Sequence, residues 1–413
     1  MVWSPNPTVT IGAVDFTGEA LETVRIDRGR ETLFQEPRAG YCVLELIDLD
    51  GQGLDFDVLD SVEVTLDDAA GQPVTVFAGN ISDWSSRLYD TGFESGAARS
   101  ITTVIAVSAL AQLNRRNVAV TGRPQEKDGD RIAALVTEGL SATWEETGGT
   151  WATVATPTTT WATFDPDLDL DLIDQPGVFD IAALDPQDGG YNPLSQSYLT
   201  SFSGRGVLFD TRDGFVAYAD ADARENAATA GYLELPGDVI LAQQLATRSQ
   251  FADIVNRLGL SFDGGTVRVS DTPSILAFGV LATEFETNLA NSANAEAWAV
   301  DYIEDHAGPV INLSGVALRL DSIASDTLRD NLLELEVGSP VNLTDLPGTL
   351  GVTQLPAFVE GMSWRIDRLR ISLALNVSDA ALSIGSIRWG LVSDTLRWDQ
   401  VPANLAWQDA RRL

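Results

Sequence analysis

The sequence predicts a mainly β protein with an α+β insert, built as two β-barrels with intervening domains between them. Three observations carry that expectation. Apolar, often β-branched residues alternate with polar ones in short runs through roughly the first 120 residues, broken by turn signals about every ten residues. Between about 122 and 232 the pattern changes to helices and a hairpin. Features from the end of the first stretch then recur in the same order near the end of the second.

Residues 1–121 form the first predicted barrel. Thr8 to Ile11, Tyr41 to Leu46, Ser61 to Leu66 and Pro73 to Phe77 each place apolar or β-branched side chains on alternate residues, which a pleated strand turns to one face. Asp50-Gly51 and the run from Ala70 to Pro73 separate them. Ser100 to Val107 reads as a further strand and Ser108 to Leu113 as the start of a short helix. In the insert, residues 122–232, Asp130 to Gly139 has an acid at its start and Gly near its end, as a helix requires. Trp144 to Asp188, rich in Thr, Trp and Asp, gives only short strands and loops. Leu194 to Leu199 reads as helix, and Gly206 to Tyr218 as a hairpin turning at Asp213-Gly214.

Residues 233–383 return to strands and form the second predicted barrel. Val310 to Leu313, Leu332 to Val337 and Leu369 to Leu375 alternate, around one helix from Asn291 to His306 that gathers Ala295, Trp298, Ala299, Tyr302 and Ile303 on one face. A Trp-rich arm, residues 384–413, follows.

The duplication runs at a separation of roughly 270 to 280 residues. Val62 to Leu66, Phe77 to Trp84 and Ile105 to Leu110 correspond to Pro340 to Leu346, Phe358 to Trp364 and Leu375 to Ala380. Each copy holds a strand, a turn, a Phe-to-Trp strand bearing a Gly, and a final alternating strand. Two related barrels per chain would let three chains present six similar units around one axis.

Composition bounds the function. Sixty acidic residues against 26 basic ones give a net charge of −34, and Lys127 is the sole lysine. Such a surface repels phosphate and anionic lipid, which disfavours tight nucleic-acid binding and a membrane-surface role. Scarce lysine fits coding bias in a GC-rich genome, and an acid-rich halophilic host gives a similar excess. The single Cys42 allows no internal disulfide and sits in an apolar run, as a buried structural thiol would. The stem from Met1 to Pro5 lacks the blocks of a signal peptide, and no run of 18 apolar residues occurs. The expected compartment is the cytoplasm until the protein joins an assembly.

No site of chemistry stands out, and neither a cofactor nor a metal is expected. His306 is the sole histidine and ends a helix, where a cation favours the dipole, and no HExxH or Cys/His cluster surrounds it. Asp165 to Asp174 carries carboxylates on alternate residues, which a solvated strand edge explains and a Ca²⁺ site would also use, although EF-hand spacing is lacking. Asp210 to Gly214 reads as a turn. Carboxylates near Trp144, Trp151 and Trp161 could flank a stacked sugar, but with 60 acidic residues such neighbours arise by chance. In the C-terminal arm, Trp389, Trp398 and Trp407 recur at equal spacing. They either anchor the arm on its own barrel or dock the next component of an assembly, since an exposed Trp is a strong interface anchor.

The sequence resembles the tail hub family of long-tailed phages and related viruses, also called tail-associated or baseplate hub proteins and minor tail proteins. The resemblance rests on the order of Val76 to Trp84, Thr103 to Leu113, the Gly204 to Tyr218 hairpin, Glu336 to Leu343 and Phe358 to Gly361. It implies two tube-protein-like barrels per chain with hub domains outside them, and a homotrimer in the virion tail tip, assembled in the host cytoplasm. The implied partners are a distal tail ring above, tip or fibre proteins below and a tape-measure protein in the lumen, with DNA passing without specific binding. It implies no enzymatic activity, because few residues follow the second barrel and a lytic domain would not fit there. The alternatives are a hexameric distal tail ring protein, with one barrel per chain, and a carbohydrate-binding or hydrolytic β protein for host attachment.

Overall fold

The computed structural model describes residues 3–380, apart from 13, 17–20, 34, 49–53, 91–98, 116–117, 119–121, 141–168, 187–189, 242–244, 310–311, 351 and 368–369. The first part of the chain supplies β1 (Thr8–Ile11), β2 (Val14–Asp15), β3 (Leu21–Gly29), β4 (Arg38–Asp48), β5 (Ser61–Asp67), β6 (Pro73–Asp90) and β7 (Arg99–Val107), followed by helix α1 (Ala109–Arg115). Alternation sets their faces: Cys42, Leu44 and Leu46 of β4 and Val62, Val64 and Leu66 of β5 are buried while their neighbours face outward.

The middle of the chain holds β8 (Glu126–Lys127), α2 (Asp128–Leu140), β9 (Asp180–Ile181), α3 (Pro193–Ser203), β10 (Val207–Asp210), β11 (Val216–Ala219) and α4 (Ala221–Ala230). Asn192 caps α3 by accepting from the Ser195 N–H, with Pro193 at the first helical position. Helices α1, α2 and α3 close over the β10–β11 hairpin around Leu113, Ile132, Val136, Leu194 and Tyr218.

The last part supplies β12 (Leu233–Pro236), β13 (Ala246–Arg248), β14 (Arg257–Phe262), β15 (Gly265–Ser270), α5 (Thr272–Phe278), β16 (Ala282–Glu286), α6 (Ser292–His306), β17 (Asn312–Ser314), β18 (Val316–Arg319), α7 (Asp326–Leu333), β19 (Pro340–Thr344), β20 (Leu355–Asp367) and β21 (Arg370–Asp379). Asn291 caps α6, whose buried face is Ala295, Trp298, Ala299, Tyr302 and Ile303, as the sequence predicts. This face packs on a separate three-stranded sheet, β15-β14-β16, through Leu258 and Leu260.

Twelve strands of the first and last parts form one sheet among the described residues, in the order β12-β19-β20-β3-β4-β7-β6-β5-β1-β2, with β18 joined to β21 and β21 to β20, while β13 and β17 pair with each other in a separate two-stranded sheet. The chain is thus mainly β with a mixed α+β middle, as expected. The two barrels are not closed cylinders, and this corrects the prediction. Strand β20 is long enough to hold β19 on its first residues and β3 on its last, so an edge of one half is taken up by the other. One hydrophobic cluster follows, running from Val24, Leu44 and Val64 to Leu343, Trp364 and Leu373.

The duplication is present strand for strand. In the first half, β5, β6, β7 and β4 lie side by side, all antiparallel; in the second, β19, β20, β21 and β18 do the same. A bulge falls at Ser82 against β7 and at Glu360 against β21. It equates Ser82 with Glu360, hence Trp84 with Met362, so the sequence match of Trp84 to Trp364 is two residues out of register. The outermost strands differ: β1 runs antiparallel to β5, whereas β12 runs parallel to β19.

Leu332 to Val337, predicted as a strand, is the end of α7 and the turn after it. Ser325 caps that helix by accepting from the Leu328 N–H, and Leu328, Leu332 and Leu333 satisfy helical spacing as well as alternation.

Candidate functional site

The most heavily built polar feature is a joint where the first half, the insert and the second half meet. It lies where the end of β3 crosses the bulge of β20. Gly29 takes φ +83°, and a Cβ there would lie 2.4 Å from the Glu360 carbonyl oxygen; one on Gly361 would lie 2.5 Å from the Arg30 carbonyl. Two glycines therefore let the backbones close, and the Arg30 N–H donates to the Glu360 carbonyl at 2.8 Å.

The bulge turns the Glu360 side chain inward, fully buried. Its carboxylate accepts from Arg30 of the first half at 2.6 Å, from Arg224 on α4 of the insert at 2.6 Å, and from the Ser378 hydroxyl at 2.5 Å. Arg224 also lies over the Phe358 ring, 4.4 Å from its centroid. Burial alone would raise the Glu360 carboxyl, but the two guanidinium groups outweigh it and bring it down to about 2.

A second node ties the same three segments. Arg28 of β3, almost wholly buried, donates to the Asp210 carbonyl in the insert at 2.6 Å, lies 3.8 Å from the Asp210 carboxylate, and pairs with Glu336 of the second half. Glu336 accepts in turn from the Arg212 N–H at 2.9 Å. Burial pushes the Asp210 carboxyl up to about 6, against the pull of Arg28. In sequence Asp210 reads as the start of a turn, and that turn is present, with Thr211 N–H donating to Phe215 O at 2.8 Å. Its role in the joint is not legible there, because Arg28 is 182 residues away.

Beside the joint a cavity of about 40 Å³ is lined by Arg30, Arg205, Arg224, Trp298, Tyr302 and His306. Its arginines are engaged: Arg205 pairs with Asp301 at 2.7 Å and the other two with Glu360. His306 is buried and stacked on Tyr302, with ring centroids 4.1 Å apart and Nδ1 2.9 Å from the Tyr302 carbonyl. Burial lowers its pKa, which keeps the ring neutral at pH 7. His306 thus closes the C-terminal end of α6 as a packed side chain.

The other singled-out residues are dispersed. Cys42 is fully buried in β4, and burial pushes its thiol up. Asp169 to Asp174 is not the expected extended edge: Asp169 caps a 3₁₀ turn, Leu170–Leu172, and Asp174 accepts from the Asp220 N–H. Asp165 and Asp167, Trp144, Trp151 and Trp161, and Trp389, Trp398 and Trp407 lie outside the described residues. Among the described residues no group of three or more His, Cys, Asp or Glu side chains is placed to hold a metal, and no helix is long and apolar enough to cross a membrane.

The fold is similar to that of two solved tail proteins. The 43 kDa tail protein of prophage MuSo2 from Shewanella oneidensis superposes with a TM-score of 0.56 at 12% identity, covering 91% of this chain and 98% of that one. The tail protein from Neisseria meningitidis MC58 gives the same TM-score and identity, covering 93% and 99%. No protein-family model matches the sequence, and no curated protein matches it. The likeness is one of fold, spanning nearly the whole of each chain.

Proposed function

We propose that this chain is a structural tail hub of a tailed virus, a homotrimer that adapts the sixfold tube and distal ring to a threefold tip. The observation that carries the proposal is the duplication: two strand sets of the same order, direction and bulge position give three chains six similar units. The fold shared with two tail proteins over almost their full length supports it.

The role is mechanical rather than enzymatic. The two buried nodes fix the insert rigidly against both repeats, as a part transmitting force through a tail requires. With a net charge of −34, the assembled surface repels DNA phosphate and lets a genome pass without sticking. The arm bearing Trp389, Trp398 and Trp407 would dock the next tip component. Imaging the assembled tail and counting copies tests the reading. Three copies beneath a hexameric ring are expected; six copies in the ring itself would replace the hub by a distal ring protein.

A further inference from the structure

Two patches of large apolar side chains stand exposed, one in each half of the chain. The first runs along β6, where Trp84 and Leu88 share a face and Leu88 is 70% exposed. The loop before β5 extends it with Val58 and with Leu59, 68% exposed. This loop is fixed in place: the Leu59 N–H donates to Ile81 O at 2.9 Å, and the Phe56 ring meets that of Trp84 edge-on at 5–7 Å range, 6.1 Å between centroids. Leu59 takes φ +76°, a conformation rare outside glycine and asparagine, so the backbone is strained where it presents an apolar side chain to water. The charges beside this patch are acids. Asp55 and Asp57 are exposed and Asp60 is half-buried, whereas Arg87 points to the opposite face of β6.

The second patch belongs to α5 and the chain around it. Residues 272–281 carry no charge, and within them Leu276 is 83% exposed, with Phe278 and Val280 exposed beside it. Phe251, 61% exposed, stands on the turn before β14. Both pieces are anchored at the same end of α6: the Ser274 hydroxyl donates to Ala307 O at 2.5 Å, and the Val255 N–H to His306 O at 2.9 Å. Buried Asn256 ties them together, its amide donating to Gly279 O at 2.7 Å and its carbonyl accepting from the Leu281 N–H at 2.8 Å. The patch is thus a rigid knuckle. Its exposed charges are cations, Arg248 three residues before Phe251 and Arg257 opposite Ala282, while the nearby acids Asp253 and Asp271 are half-buried and Asp271 caps α5.

We infer that the α5 knuckle of one chain packs on the β6 patch of a second copy. Charge decides the pairing, because an apolar surface rimmed by Asp55, Asp57 and Asp60 matches one rimmed by Arg248 and Arg257 and repels a copy of itself. Size agrees: with large side chains of about 150–250 Å² weighted by exposure, each patch offers roughly 400 Å², half of the about 800 Å² that one partner gives to a stable interface. The two patches differ, so the contact is head-to-tail; each chain gives one and receives the other, and a ring closes when the last chain meets the first. The inference rests on the trimeric hub reading and specifies its interface.

The test uses two variants of the full chain, Leu88→Asp in the first patch and Leu276→Asp in the second. Both positions are exposed in the single chain, so both variants should keep the circular dichroism of the parent. Sedimentation reads the assembly. The expected result is a trimeric parent, a monomer for each variant alone, and dimers with nothing larger in their equal mixture, because one intact junction survives between the two. A trimeric parent whose variants stay trimeric overturns the patch pairing, leaves the hub reading standing, and assigns the patches to another tail component or to the C-terminal arm. Loss of the trimer in one variant but not the other overturns the pairing too, as do monomeric variants that give no dimer when mixed well above the concentration at which the parent assembles. A monomeric parent overturns both. A hexameric parent whose variants dimerise on mixing keeps the junction and sinks the trimer.

Discussion

Replacing Glu360 by Ala removes the carboxylate that Arg30 and Arg224 share in the joint, and leaves two largely buried guanidinium groups without it. Stripping one partner from a buried pair costs about 3–5 kcal/mol, because the remaining charge has lost its compensation. Two stranded cations place this substitution at the upper end of that range. The assay is urea unfolding followed by tryptophan fluorescence. The pH dependence gives an independent check with Glu360→Gln. The folded carboxyl lies at about 2, below its ordinary 4.5, so its stabilising contribution is complete above the ordinary value and is lost as pH falls through the folded one. At about 1.4 kcal/mol per unit that gap is worth about 3 kcal/mol. The cost of Glu360→Gln is therefore largest at neutral pH and shrinks towards pH 2. A loss under about 1 kcal/mol for Glu360→Ala, the scale of an exposed pair, or a Glu360→Gln cost independent of pH, would refute the reasoning.

Asp210 has the opposite sign. Its folded carboxyl at about 6 lies above the ordinary 3.8, so its contribution is fully present below the ordinary value and is lost as pH rises through the folded one. Urea unfolding at pH 4 and 8 should show Asp210→Asn gaining on the parent protein by about 2 kcal/mol over that interval. Gly129→Ala, inside α2, would gain about 1 kcal/mol from helix propensity alone, yet its Cβ would lie 1.9 Å from the Asp174 carbonyl oxygen, so a net loss of melting temperature is expected. The Cys42 thiol should react with an aromatic disulfide reagent only as fast as the protein unfolds in denaturant, and labelling in seconds without denaturant would contradict its burial.

Local pattern was legible where one face of an element met the core. Alternation located β4, β5 and β7, and the 3.6-residue period located α6 together with its buried face. It failed at Leu332 to Val337, where Leu-Leu-Glu-Leu-Glu-Val suits strand and helix equally and the Ser325 cap decides. Strand β3 was missed because Arg25, Asp27 and Arg28 interrupt its apolar residues; Asp27 and Arg28 serve contacts with distant parts of the chain, while Arg25 pairs with Asp27 in the same strand. Pairing of β20 with β3 has no local signature, so one shared sheet could not be told from two barrels. The duplication was visible as order, while its register needed the bulges. Arg30, Arg224 and Glu360 look like surface charges in sequence, and only their convergence makes them a joint.

The pairing of β3 with β20 also bears on how the protein is made. Arg30 and Glu360 are 330 residues apart, so at about 5–20 residues per second the ribosome needs roughly 15–65 s to supply the partner after β3 emerges. During that interval the outer edge of β3 and its two arginines stay open to other chains. The first repeat therefore waits half-assembled on the ribosome. Sheets closed by such long-range contacts also fold slowly once complete. Crowded synthesis favours mispairing of this edge between nascent chains, and slower initiation or lower temperature during expression should raise the soluble yield.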